Sequence, residues 1–140
     1  MATPLRLTKP ATPANLALFL TLVDVLADRH ELPAKARSEL RLMAEEACSN
    51  VVLHAFPERE PGELTLELQF ADGVAIVSLE DDGVPFGPDD APAPELSEDW
   101  QARREGGVGW HLIRSLSDEL DYVRADQRNR LTLRKRVAES

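Results

Sequence analysis

The chain has 140 residues, 43% of them hydrophobic, which is enough for one domain with a real core. A formal charge of −9 and a pI near 4.8 argue against a protein whose main task is holding nucleic acid, since neutralising phosphates takes clustered Lys and Arg. The lone Cys48 excludes an internal disulfide, no apolar run approaches the roughly 20 residues of a membrane span, and MATPLRLTKP lacks the apolar stretch of a signal peptide. The expected compartment is therefore the reducing cytoplasm, and the expected partner a protein or small ligand, with no direct nucleic acid and no membrane.

Leu5 to Lys9 alternate apolar and polar residues, the pattern of a short edge strand ending at Pro10. Thr12-Pro13 then offers a capping hydroxyl and a proline suited to a first helical position, followed by Leu16, Phe19, Leu20, Val23 and Leu26 at helical spacing; a helix is predicted from about Pro13 to His30. A second helix is predicted from about Pro33 to His54, with Leu40, Met43, Ala47 and Val51 on one stripe. The period then falls from about 3.6 to 2. Leu64, Leu66, Leu68 and Phe70 alternate with polar residues, Asp72-Gly73 supplies a tight turn, and Val74 to Glu80 returns as the antiparallel partner. From Val84 to Glu105 periodicity disappears among prolines and acidic residues, the mark of a long functional loop. Gly106-Gly107-Val108-Gly109 opens a short helical pattern, and two last strands are predicted at Leu120 to Arg124 and Leu131 to Val137. These elements imply an α+β fold: a two-layer sandwich with a mixed, mostly antiparallel sheet and helices on one face, all in a single domain of residues 1–140.

Three motifs could carry chemistry. On the second helix Glu46 and Asn50 are four apart and project side by side; on a helical wheel Asn50 falls within about 20° of the apolar stripe, Glu46 about 60° from it, and Glu45 on the opposite face. Such a pair could face a cleft, the carboxylate taking a proton and the amide oxygen ligating a hard cation, or it could be a solvated helix edge. In Leu79-Glu80-Asp81-Asp82-Gly83, Asp81 shares strand parity with Val77 and Leu79, which points it towards the helical layer, where a purine's exocyclic amine could be its donor; the alternative is an ordinary turn. Gly107 and Gly109 before a helix would let backbone N–H groups approach a phosphate, or form a simple hinge.

The order E-x-x-x-N on a helix, D-x-G after a strand, a long loop and G-x-G opening a helix resembles the Bergerat-type ATP-binding domain of gyrase, histidine kinases and the anti-sigma-factor serine/threonine kinases. The similarity spans nearly the whole chain, and GGVGWHLIRSLSDELDY with RLTLRKR is similar to the ending of the last group. The resemblance implies that Asp81 accepts from the adenine amino group, Gly83 lets the backbone pass the base, Asn50 ligates Mg²⁺, and Glu46 is the general base towards a serine hydroxyl. It further implies that Gly107, Val108 and Gly109 wrap the phosphates of ATP at the foot of a lid at 84–105, with Arg103 and Arg104 as candidate phosphate contacts and Thr132 as a candidate seat for adenine. Two departures stand out: Pro85 replaces the second glycine of D-x-G-x-G, and Gly106 stands where a side chain is usual. His54, His111, Trp100 and Trp110 have no metal-binding spacing and read as structural or partner-facing.

Two functions follow from the resemblance. One is a partner-switching regulator that phosphorylates serine or threonine on an anti-anti-sigma-like protein and also sequesters a sigma factor. The other is a nucleotide-gated binding module without phosphotransfer. Related proteins work as homodimers, and the first helix or first strand could supply that contact.

Overall fold

The computed structural model describes residues 3–57, 59–85, 87 and 109–137. Five strands form one sheet in the order β1-β2-β3-β5-β4: β1 Leu5–Pro10, β2 Glu63–Ala71, β3 Val74–Asp81, β4 Glu119–Ala125 and β5 Arg128–Arg136. Among the described residues every neighbouring pair is antiparallel, where a mixed sheet is expected. The helices are α1 Leu16–Arg29, α2 Ala34–His54 and α3 Gly109–Leu116. α1 lies against β1 and β2, α2 against β3, and α3 against α2.

Alternation decides the layers. Leu64, Leu66 and Leu68 of β2, Ala75, Val77 and Leu79 of β3, and Leu131 and Leu133 of β5 are buried beneath Phe19, Leu26, Leu40 and Met43 of the helices. Each fully buried Leu or Phe contributes about 1.5–3 kcal/mol, so a strand slipped by one residue would forfeit several such contributions at once. That penalty fixes the register in which Asp81 lies opposite Asn129 on β5.

Two predicted boundaries are corrected. Thr12 makes no side-chain cap; Pro13–Asn15 form a 3₁₀ turn instead, and α1 starts at Leu16. A proline at the start suits the tighter turn because its missing N–H costs nothing there. The last strand begins at Arg128, three residues before the predicted Leu131, because its hairpin with β4 closes through only Asp126 and Gln127, at φ 54° and 62°. Neither residue is glycine, so the usual signal for a two-residue turn is missing there, whereas Asp72-Gly73 carries it at φ 53° and 76°. Among the described residues, no helix is long and apolar enough to cross a membrane.

Candidate functional site

α2 holds both of its predicted site residues inside the protein: Glu46 is 3% exposed and Asn50 5%. The helical wheel put Glu46 at the rim of the apolar stripe, but α2 is flanked by α1 and α3 and lies on the sheet, so Glu46 to Val51 are buried without interruption. Glu45 is half-buried. The start of α3 meets this pair at Gly109, where a Cβ would stand 3.1 Å from Glu46 Oε2 and 3.2 Å from Asn50 Oδ1. A glycine is therefore the residue that lets the helix start come this close. Asn50 Nδ2 is buried and makes no hydrogen bond among the described residues. A buried amide with an unused donor is costly, which is the usual mark of a group reserved for a ligand.

At the end of β3, Asp81 is 2% exposed and points into the helical layer, as its strand parity predicts. The N–H of Gly83 donates to Asp81 Oδ1 at 2.8 Å, closing a turn by the aspartate's own side chain. Gly83 has a second reason to be glycine: a Cβ there would run into the Ala55 carbonyl oxygen and stand 2.6 Å from Ala55 Cβ, while the next N–H, that of Val84, donates to Ala55 O at 2.8 Å. The turn is thus tied to the C-terminal end of α2. Burial pushes the Asp81 carboxyl up from its ordinary pKa, and hydrogen bonds from Asn129 and from the Gly83 N–H oppose that rise.

Asn129 is the functional candidate that motif reading misses. Its Nδ2 donates to Asp81 Oδ1 and to Val84 O, both at 2.9 Å, and its Oδ1 accepts from the Tyr122 hydroxyl. Thr132, the threonine expected to help seat a base, pairs instead with Ser78 and belongs to the outer, odd-numbered offset from Asn129. The signal was available in the alternation itself. Extended backwards from Leu133 and Leu131, the buried parity lands on Asn129, a polar residue on an apolar face.

A narrow cavity of about 10 Å³ lies between α2 and the Asp81 cluster. Ala47 and Val51 of α2 and Leu79 of β3 give it apolar walls, Asp81 and Asn129 its polar end, and Trp110, Tyr122 and Leu131 the remainder. Trp110, expected to be structural or partner-facing, is a core residue that also lines this cavity, whereas His111 is exposed and His54 half-buried. The lining, apolar walls ending in a carboxylate, has the chemistry for a flat heteroaromatic ring with an amino edge, and the walls must part to admit one. Gly107, Val108, Arg103, Arg104, Trp100 and most of the expected lid lie outside the described residues.

No group of three or more His, Cys, Asp or Glu side chains that could hold a metal is present among the described residues. The donor set fits Mg²⁺ in another way. One amide oxygen, Asn50 Oδ1, suits an ion that keeps most of its shell for water and phosphate oxygens.

The sequence profile of the histidine kinase-like ATPase domain matches residues 9–135. The serine/threonine-protein kinase BtrW of Bordetella bronchiseptica is 33% identical over 129 residues, covering 92% of this chain and 89% of its own. The serine-protein kinase RsbW of Listeria innocua is 30% identical over 115 residues, covering 79% and 73%. A solved structure of the RsbU and RsbW domains of a Mycobacterium tuberculosis protein superposes with a TM-score of 0.72 at 16% identity, over 99% of this chain and 34% of that one, which is a likeness of fold. With the buried Glu46–Asn50 pair, the Asp81 turn and a profile match across almost the entire chain, the protein belongs to the histidine kinase-like ATPase domain family.

Proposed function

We propose that this chain is an ATP-dependent serine/threonine protein kinase that acts on a small protein antagonist in a partner-switching circuit. The observation that carries the reading is a pair of buried polar clusters joined through α2. At one, Glu46 and Asn50 meet Gly109; at the other, Asp81 is held by Gly83 and Asn129. The names of relatives at 30–33% identity, both serine or serine/threonine protein kinases, support the same chemistry.

In this reading the adenine ring enters between Val51 and Leu79, and its amino group donates to Asp81. The phosphates extend towards the start of α3, where the resemblance implies that Gly107, Val108 and Gly109 would offer backbone N–H groups to negative charge. Asn50 would hold Mg²⁺, which offsets phosphate charge when bound. Glu46 takes the proton of the attacking serine hydroxyl as its Oγ bonds to the γ-phosphorus, and the bridging P–O bond breaks to release ADP. Single-domain architecture, an anti-anti-sigma-like substrate, a sigma factor as second partner and a cytoplasmic setting belong to this same proposal.

The test is incubation of the protein with radiolabelled ATP and Mg²⁺ and a panel of small co-encoded proteins. Label on a serine or threonine of one of them supports the kinase. If ATP alters the affinity for a partner and no label is transferred, the protein is a nucleotide-gated module and the kinase reading fails.

A further inference from the structure

The polar end of the cavity contains more than the family motifs explain. β4 is an edge strand, and two of its residues on one parity, Tyr122 and Arg124, reach across to the same atom. The Tyr122 hydroxyl donates to Asn129 Oδ1, and Arg124 Nη1 approaches that oxygen at 3.3 Å while donating to Gly83 O at 2.5 Å. On its other side the Asn129 amide meets two acceptors, Asp81 Oδ1 and Val84 O. Only one of the two orientations of the amide satisfies this set. Turned over, its oxygen would face a carboxylate and a carbonyl, and its NH₂ would face a guanidinium that can never accept. The Tyr122 ring is itself confined, for a Cβ on Gly87 would stand 2.5 Å from its Cδ2 and Cε2.

The consequence reaches Asp81. Both of its donors, Gly83 N–H and Asn129 Nδ2, land on Oδ1, and among the described residues Oδ2 accepts no hydrogen bond. One oxygen is anchored and the other is left for a ligand. We propose that Tyr122 and Arg124 are positioning residues for base selection: by fixing the Asn129 amide they hold Asp81 as an anchored acceptor that takes a 6-amino purine and rejects a 6-oxo purine.

The selectivity follows from the chemistry of the ring edge. An adenine amino group donates to Oδ2, whereas the carbonyl of hypoxanthine sets oxygen against a carboxylate with no proton between them. If the amide is free to turn, Asp81 loses a donor and gains an acceptor as its neighbour. Its carboxyl then holds a proton more readily, and a protonated carboxyl can donate to a 6-oxo group. Loosening the clamp therefore lowers affinity for adenine nucleotides and spares, or improves, that for inosine nucleotides.

This inference rests on the nucleotide reading above, and calorimetry with ADP and inosine diphosphate, which differ in the 6-substituent and the N1 proton that goes with it, separates the two. Wild-type protein is expected to prefer ADP by about 100-fold or more, because a site built to pair with a donor leaves buried polar groups unmatched when given an acceptor. Tyr122→Phe should reduce that ratio by about tenfold, by weakening ADP with inosine diphosphate spared or improved, with thermal unfolding still cooperative. Asn129→Leu, a near-isostere without the donor, should reduce it at least as far. The double variant should match Asn129→Leu, because Tyr122 acts through Asn129. An unchanged ratio in Tyr122→Phe, an equal loss of ADP and inosine diphosphate, or additive effects in the double variant each overturns the proposal while leaving nucleotide binding intact. Failure of the wild-type protein to bind ADP overturns the nucleotide reading and this inference with it.

Discussion

Asp81→Asn should separate binding from stability, because the two draw on different oxygens. Both hydrogen bonds that hold the side chain end on Oδ1, at 2.8 Å from the Gly83 nitrogen and 2.9 Å from Asn129 Nδ2. An asparagine can keep its own oxygen there and accept both. The NH₂ then replaces Oδ2 and confronts the amino group of adenine, one lost hydrogen bond with two donors opposed, which costs about 1–3 kcal/mol or roughly 5- to 150-fold in ADP affinity. Stability should move the other way. Burial raises the folded-state pKa of Asp81, so the native protein binds a proton where the unfolded chain has released it. Its contribution is therefore greatest below the ordinary carboxylate range and is lost as pH rises through the folded pKa, leaving a deficit at neutral pH. Asparagine carries no such deficit. Urea unfolding at pH 4 and pH 7.5 is expected to show the variant gaining on wild type as pH rises, with calorimetry at pH 7.5 showing the lost affinity. A variant less stable than wild type at pH 7.5 and no different at pH 4, or one that binds ADP normally, would refute the assignment of the two oxygens.

Three other substitutions divide the roles where α2 meets the start of α3. Glu46→Gln keeps the shape and removes the base, so phosphate transfer to a partner should fall by about 100-fold or more with ADP affinity within a few fold; single-turnover transfer assays at wild-type rate would reject Glu46 as the base. Asn50→Ala should weaken Mg²⁺-dependent ATP binding and transfer together, which titrations with and without Mg²⁺ would reveal. Gly109→Ala introduces a Cβ at 3.1 Å from Glu46 Oε2 and 3.2 Å from Asn50 Oδ1, so both side chains must shift; transfer should fall about tenfold or more, since misplacement of about 1 Å can cost 100-fold, while the melting temperature changes little. Lys135→Met tests a different joint: Lys135 Nζ binds Glu39 Oε2 at 2.6 Å and Leu116 O at 2.8 Å, and its hydrogen bond holds the Glu39 carboxyl below its ordinary pKa. That stabilisation is present above the ordinary carboxylate range and lost as pH falls through the folded pKa, so the variant's deficit of about 1 kcal/mol at pH 7 should shrink in acid; a deficit independent of pH would rule the ion pair out as its source.

The elements that could be read from the sequence are those whose signal is local. β2 and β3 alternate cleanly around Asp72-Gly73, and α2 has an apolar stripe, so all three have nearly the predicted bounds. Asp81 could be placed by parity alone because it continues the strand that buries Val77 and Leu79. Asn129 could not be found through a motif, since its meaning arises only when β5 lies beside β3, bringing together residues 48 apart. Tyr122 is a further step removed: it touches Asn129 rather than Asp81. A wheel drawn for α2 alone sets Glu46 too near the surface, because it has no account of α3 packing on its flank.

Burial itself gives the strongest physical reason to treat these residues as one site. Among the described residues, the buried polar side chains are Glu46, Ser49, Asn50, Asp81 and Asn129, and all but Ser49 have a place in the two clusters. Desolvating such groups costs stability unless every one of them is paired, and apolar residues of similar size would pack in their place without that cost. Burial pushes the Asp81 carboxyl above its ordinary pKa, and Asn50 keeps a donor idle among the described residues. A fold under selection for stability alone would have no use for either. Polar groups confined to two buried clusters, two of them left with unused hydrogen-bonding capacity among the described residues, are what remains when a core must leave room for a ligand that brings the missing partners.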